Sequence, residues 1–275
     1  MTKDEIEKRK RGNRKLAVEL QKKLKARFED VIDDPTEKKV RDYKKYEGAL
    51  LAVWLRETYA NLTKGIDEAV QTGRTSAIEQ LRAKGFTKST DIEELYKRIR
   101  QAKKSQVKSD IEKVADSIIQ NSNRNVEKMI EALVFQKKRL DKGFFNTFKK
   151  YGVAYFATKN EARIKLEDYV DMLTQTTLVS AERQAFFVKS EEYGNDLVKV
   201  VHTVDEEPCP LCQPFQNKTL SISGKTKGYM TVEEAQGFGL FHPNCYDVME
   251  LAPAEPDGVV EITEANDKYN ARYYR

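Results

Sequence analysis

Apolar residues recur every three or four positions from Lys3 to about Gly194, and Pro35 is the sole proline in that stretch. The pattern predicts helix throughout. Asp34 before Pro35, with Glu37 following, marks a helix start: an aspartate cap and a proline at the first helical position. A helix from Pro35 to about Gln71 would use Tyr43, Tyr46, Leu50, Val53, Trp54 and Tyr59 on its apolar side. Gly73 and Gly85 punctuate a shorter helix, and Thr90 with Glu93 forms a capping box that restarts helix, with Ile92, Leu95, Tyr96 and Ile99 as its stripe. Another long helix is expected from Val107 to Leu140, carrying Ile111, Val114, Ile118, Val126, Met129, Ile130, Leu133 and Val134. Lys142 to Tyr155, rich in Phe and Tyr, reads as a turn and short helix. A last stripe of Leu166, Val170, Leu173, Leu178, Ala181, Ala185 and Phe186 stops at Tyr193-Gly194-Asn195.

The period then changes. Leu197 to Val204 is a β-branched run of strand length. Lys218 to Ser223 and Tyr246 to Leu251 are further strand candidates, while Thr231 and Glu234 make a capping box for a short helix, Val232 to Gln236, closed by Gly237. The expected fold is mainly α with a small C-terminal α+β module. The chain divides into a basic N-terminal arm or helix (1–34), an extended helical region (35–160), the α+β module (161–254) and a tail (255–275).

Charge changes this picture at one end. Residues 1–30 carry eleven Lys/Arg against six acids, while the remainder is balanced at 38 of each. A basic arm suits a nucleic acid or an acidic protein surface; interleaved Glu5, Glu7 and Glu19 equally suit a solvated helix face. No stretch approaches the roughly 20 apolar residues of a membrane span, and no signal peptide is visible.

All three cysteines and one of the two histidines fall within 37 residues, as Cys209-Pro-Leu-Cys212 and His242-Pro-Asn-Cys245. Two close thiolates followed by an imidazole and a third thiolate suit tetrahedral Zn²⁺, and four protein ligands leave no position for water or substrate, so such a site is structural. Reduced buried thiols or a Cys209–Cys212 redox pair are the alternatives. An odd cysteine count argues against a secreted disulfide framework.

Enzymatic readings fare less well. Pro208-Cys209-Pro210-Leu211-Cys212 has the form of half a zinc deaminase motif, but the upstream histidine, His202, is followed by Val204 where the proton-shuttling glutamate should stand. A metal hydrolase would need one ligand disengaged and Glu206 or Glu207 as base. Gly224-Lys225-Thr226 lacks the glycine of a phosphate loop, since Thr219 occupies that position. A zinc-stabilised DNA-binding regulator would need a basic reading helix after the knuckle, and none follows.

From Tyr169 onward the sequence resembles the C-terminal half of phage minor capsid proteins of the minor capsid protein 2 group, related to the MuF-like head-morphogenesis proteins. The resemblance is carried by Thr177, Arg183, Tyr193-Gly194, Asp196-Leu197-Val198, Cys209-Pro210-Leu211-Cys212, Ser221-Ile222-Ser223-Gly224 and Gly239-Leu240-Phe241-His242-Pro243-Asn244-Cys245. It implies a MuF-like zinc-knuckle domain with Cys209, Cys212, His242 and Cys245 as ligands. It also implies a virion component inside the capsid or at the portal vertex, assembled in the host cytoplasm and acting in procapsid assembly or in DNA packaging and delivery. Its partners would be portal or major capsid protein, and packaged DNA through the basic arm. The family pattern continues after the knuckle with a basic residue and then His or Cys; Tyr246 and Asp247 stand there instead, so Asp247 is an oxygen ligand or a salt-bridge partner, and His202 a strand residue able to bond near the metal.

Overall fold

The computed structural model describes residues 1–33, 36–86, 92–130, 154–157, 163–202 and 207–252. Four long helices dominate it: α1 (Lys3–Asp33), α2 (Glu37–Ala83), α3 (Glu93–Ile130) and α4 (Leu166–Glu192). Strands β1 (Tyr155–Ala157) and β2 (Arg163–Lys165) pair antiparallel just before α4. After α4 come β3 (Leu197–Val201), a 3₁₀ turn (Gln213–Phe215), β4 (Thr219–Ser221), α5 (Val232–Gly237) and β5 (Val248–Leu251). No described helix is long and apolar enough to cross a membrane.

The mainly helical class with a small C-terminal α+β part is as expected, but the helices are longer than their glycines suggested. α2 runs through Gly73 without a break, and one helix replaces the two expected around Tyr96 and Ile111. Thr36 caps α2, its hydroxyl accepting from the Lys39 amide, where an Asp34 cap was expected; Asp34 and Pro35 lie outside the described residues, as do Thr90 and 131–153. α1 opens with a capping box that was not anticipated: the Glu5 amide donates to the Thr2 hydroxyl and the Thr2 amide to the Glu5 carboxylate. Tyr155, expected to end a short helix, begins β1. Two members of the expected α2 stripe, Tyr46 and Val53, are exposed, as is Leu95 on α3. Tyr43 and Trp54 are buried as expected, and Glu47, Leu51 and Thr58 complete that face, at the spacing of three to four that one helix face requires.

The chain forms two compact units, and each long helix contributes a stretch to both: 1–7, 64–104 and 175–275 form one, 8–63 and 105–174 the other. The second unit is a helical core of Leu20, Leu24 and Phe28 from α1, Tyr43, Leu51 and Trp54 from α2, Val114 and Ile118 from α3, and Leu166 and Val170 from α4. The first unit holds the three-stranded antiparallel sheet, in the order β4-β3-β5. Alternation along β3 buries Val198 and Val200, and Lys199 pairs with Glu250 across the strand register. Beneath the sheet lie Ala77 and Leu81 of α2, Phe186 of α4, and Phe215, Leu220, Ala235 and Leu240. Two cysteines, Cys212 and Cys245, belong to this same core.

α4 ends where its glycine predicts. Gly194 takes φ +76, and the Asn195 amide returns to the Ser190 carbonyl, a left-handed termination that glycine adopts without cost. The capping box of α5 also forms as expected, between Thr231 and Glu234.

Candidate metal centre

Cys209 opens a tight turn in which the amides of Cys212 and Gln213 both donate to its carbonyl. Leu211 and Phe215 are buried on either side of Cys212 and fasten the turn to the core. The second pair is shaped by left-handed backbone at Phe241 (φ 62) and Asn244 (φ 66), with the Cys245 amide bonded to the His242 carbonyl. α4 holds this knuckle from outside: Gln175 Nε2 donates to the Asn244 carbonyl at 2.6 Å, and the Asn244 amide to Thr176 Oγ1 at 3.3 Å.

The four expected ligands meet as two pairs, each joining segments about thirty residues apart. Cys209 Sγ lies 2.8 Å from His242 Nε2 and Cys212 Sγ lies 3.5 Å from Cys245 Sγ. A thiolate pair on one tetrahedral zinc is separated by about 3.8 Å for Zn–S bonds of about 2.3 Å, whereas a disulfide would need about 2.0 Å. The ligand atoms of Cys209, Cys212 and His242 all lie within 4.8 Å of one another, and so do those of Cys212, Cys245 and Asp247. The donor set fits a thiophilic divalent metal. His242 is also oriented as a metal-binding imidazole should be: Nε2 faces the sulfurs while Nδ1 lies 2.6 Å from the Pro243 carbonyl, the outer partner that fixes a ligand's tautomer.

Proton affinities in the cluster have diverged. Hydrogen bonding from Cys212, with help from His242, lowers the Cys209 thiol to about 4. Bonds to Cys209 and Cys245 push the Cys212 thiol upward, and its bond lowers Cys245. Burial alone would depress His242, but its contact with Cys209 outweighs this and raises it to about 9. Metal binding here must displace the protons on Cys212 and His242.

Asp247, at the position where the sequence departs from the family pattern, is buried. Its Oδ1 lies 2.6 Å from His202 Nδ1, and its Oδ2 accepts from Gln216 at 3.0 Å. It is therefore hydrogen-bonded to His202 and Gln216 and within ligand reach of Cys212 and Cys245. His202 follows β3, half-buried, and joins the site through Asp247 rather than through the cysteines. Glu207, weighed as a base, lines the same cavity of about 180 Å³; Glu206 lies outside the described residues. Sequence reasoning missed Gln175, Thr176 and Gln216. The signal for Gln175 and Thr176 was a run of polar residues on one helix, with Thr174, Gln175, Thr177 and Arg183 all buried; Gln216, just past the 3₁₀ turn, had no such signal.

No curated protein and no solved structure gives a match to this chain. A family model described as phage minor capsid protein 2 matches residues 4–250, which take in most of both compact units and the Cys/His cluster. The chain belongs to the phage minor capsid protein 2 family.

Proposed function

We propose that this chain is a structural component of a tailed-phage head, seated at the portal vertex or on the capsid interior, where it acts in procapsid assembly or in DNA packaging and delivery. Its C-terminal module is MuF-like, and Cys209, Cys212, His242 and Cys245 hold one structural zinc. The observation that carries this reading is the family match over residues 4–250 combined with two overlapping ligand triads, Cys209–Cys212–His242 and Cys212–Cys245–Asp247, that share Cys212. Zinc in such a site acts as a folding staple: three short strands and a six-residue helix form little regular structure of their own, so metal binding contributes directly to the folded state. Four protein ligands fill the tetrahedron and disfavour a hydrolase, for which one position must stay open.

The partners in this reading are portal or major capsid protein, with packaged DNA as a further contact. Lys8, Arg11, Lys15 and Lys22 are exposed and fall on one face of α1, a ridge suited to phosphates. The opposite face carries Leu20, Leu24 and Phe28 into a core, so the DNA contact is tested by charge reversal on the ridge rather than by deleting the helix. A fourfold Lys/Arg→Glu variant should lose salt-sensitive DNA retention; unchanged retention leaves α1 a solvated face. The main test is localisation of the labelled chain in purified procapsids and mature heads. Signal at a single vertex supports the proposal, and a chain recovered only outside particles overturns it.

A further inference from the structure

Arg183 lies on α4, only 6 % exposed, inside the metal module. Its guanidinium carbon sits 3.8 Å from the centre of the Phe241 ring, and its Nη1 donates to the Asp247 carbonyl at 3.1 Å. It thus grips both ends of the segment that carries His242 and Cys245. Burial pulls the guanidinium's proton affinity down, and Cys245, Asp247 and Cys212 oppose that pull. The Asp247 carboxylate is already engaged by His202 and Gln216, which leaves the Cys245 and Cys212 sulfurs, beside the neighbouring Glu182 carboxylate, to answer the guanidinium.

We propose that Arg183 is the fixed counter-charge and positioning residue of the metal site, matching it to a divalent ion held by three thiolates and one imidazole. The inference rests on the zinc reading above. Three thiolates, a neutral imidazole and Zn²⁺ sum to one negative charge, and a buried charge is tolerated only when paired. Arginine suits the role because its delocalised, weakly hydrated cation stacks on an aromatic face while its fork still donates. The stack on Phe241 fixes the approach to His242, and the bond to Asp247 fixes the exit from Cys245.

The test uses the full chain, with zinc affinity measured by competition against a chromophoric chelator and thiolate ligation followed by Co²⁺ charge-transfer absorption. Arg183→Met should weaken zinc binding by about 10- to 100-fold, and Arg183→Lys, which keeps the charge, by less than about tenfold. Cys209→His makes the zinc-loaded ligand set neutral. In that background the loss from Arg183→Met should shrink below about threefold, because the charge that arginine answers is gone. An equal loss in both backgrounds reveals only a packing role and overturns the proposal, as does parental affinity in Arg183→Met. Should Arg183→Met not fold, Arg183→Lys against Arg183→Gln gives the same comparison. A parent chain that takes up no zinc defeats the metal reading itself, an outcome seen before any substitution is made.

Discussion

Gly73 of α2 lies directly against the backbone of Glu182 on α4: a Cβ at Gly73 would come within 2.1 Å of the Glu182 carbonyl oxygen. No rotamer relieves such a clash, since the backbone fixes the Cβ and the carbonyl is itself backbone. Gly73→Ala should therefore destabilise the unit by about 2–3 kcal/mol, as overpacking does. Gly12→Ala and Gly48→Ala, at helical glycines with open space around them, should instead stabilise by about 0.5–1 kcal/mol. Urea denaturation of the three variants checks both signs.

Metal removal should act on the sheet and its knuckle. One zinc per chain is expected by elemental analysis, and chelation should expose the segment from β3 to β5 to protease while most helical signal persists. Cys212→Ser should be the more damaging cysteine change, because Cys212 lies in the core whereas Cys209 is half-buried and a serine at 212 would add a buried hydroxyl. Equal protease resistance with and without chelator would contradict a folding staple.

Glu47 makes the helical unit lose stability as pH rises from acid to neutral. Its carboxyl is buried beneath Tyr43 and Ser122 with one oxygen unbonded. Burial raises it to about 7, against the weaker lowering by Ser122, Lys44 and Tyr43. A folded-state pKa above the unfolded one gives stability that is complete below about 4.5 and lost as pH rises through about 7. Glu47→Gln should flatten that slope and raise stability at pH 8 by on the order of 2 kcal/mol. Trp54, the single tryptophan of the chain and buried in the same core, supplies the fluorescence signal.

Asp196 behaves in the opposite sense. Its carboxylate accepts from Ser221 Oγ, from the amide and hydroxyl of Ser223 and from the Thr226 amide. Burial would raise its pKa, but these bonds hold it well below the usual carboxylate range. Their contribution is present above about pH 3.8 and lost as pH falls below it. Asp196→Ala should cost about 1–2 kcal/mol and hasten tryptic cleavage after Lys225, with Asp196→Asn in between.

The residues 221–226 show what local sequence can and cannot reveal. Gly224-Lys225-Thr226 was legible as a basic surface turn, since a phosphate loop needs a glycine where Thr219 stands, but nothing local said that Asp196, 25 residues from Ser221, organises it. The same holds at the metal centre. Cys209, Cys212, His242 and Cys245 were readable as candidate ligands because ligand spacing is a property of short segments. Arg183 and Gln175 were not, because their roles arise only when α4 lies against the knuckle; Asp247 was legible as a ligand or salt-bridge partner, but its bonds to His202 and Gln216 were not.

Periodicity, caps and the Cys/His spacing thus determined the helical class, the small terminal sheet, the ends of α4 and α5 and the candidate ligands, all of which depend on contacts within a few residues. Tertiary structure decided the rest. It carried α2 straight through Gly73, because the glycine serves a close helix contact and its modest cost to helix is outweighed by packing. It chose Leu51 over Tyr46 and Val53 to join Tyr43 and Trp54 on the buried face, because the angle at which neighbouring helices meet selects among apolar positions that a one-dimensional pattern leaves equivalent.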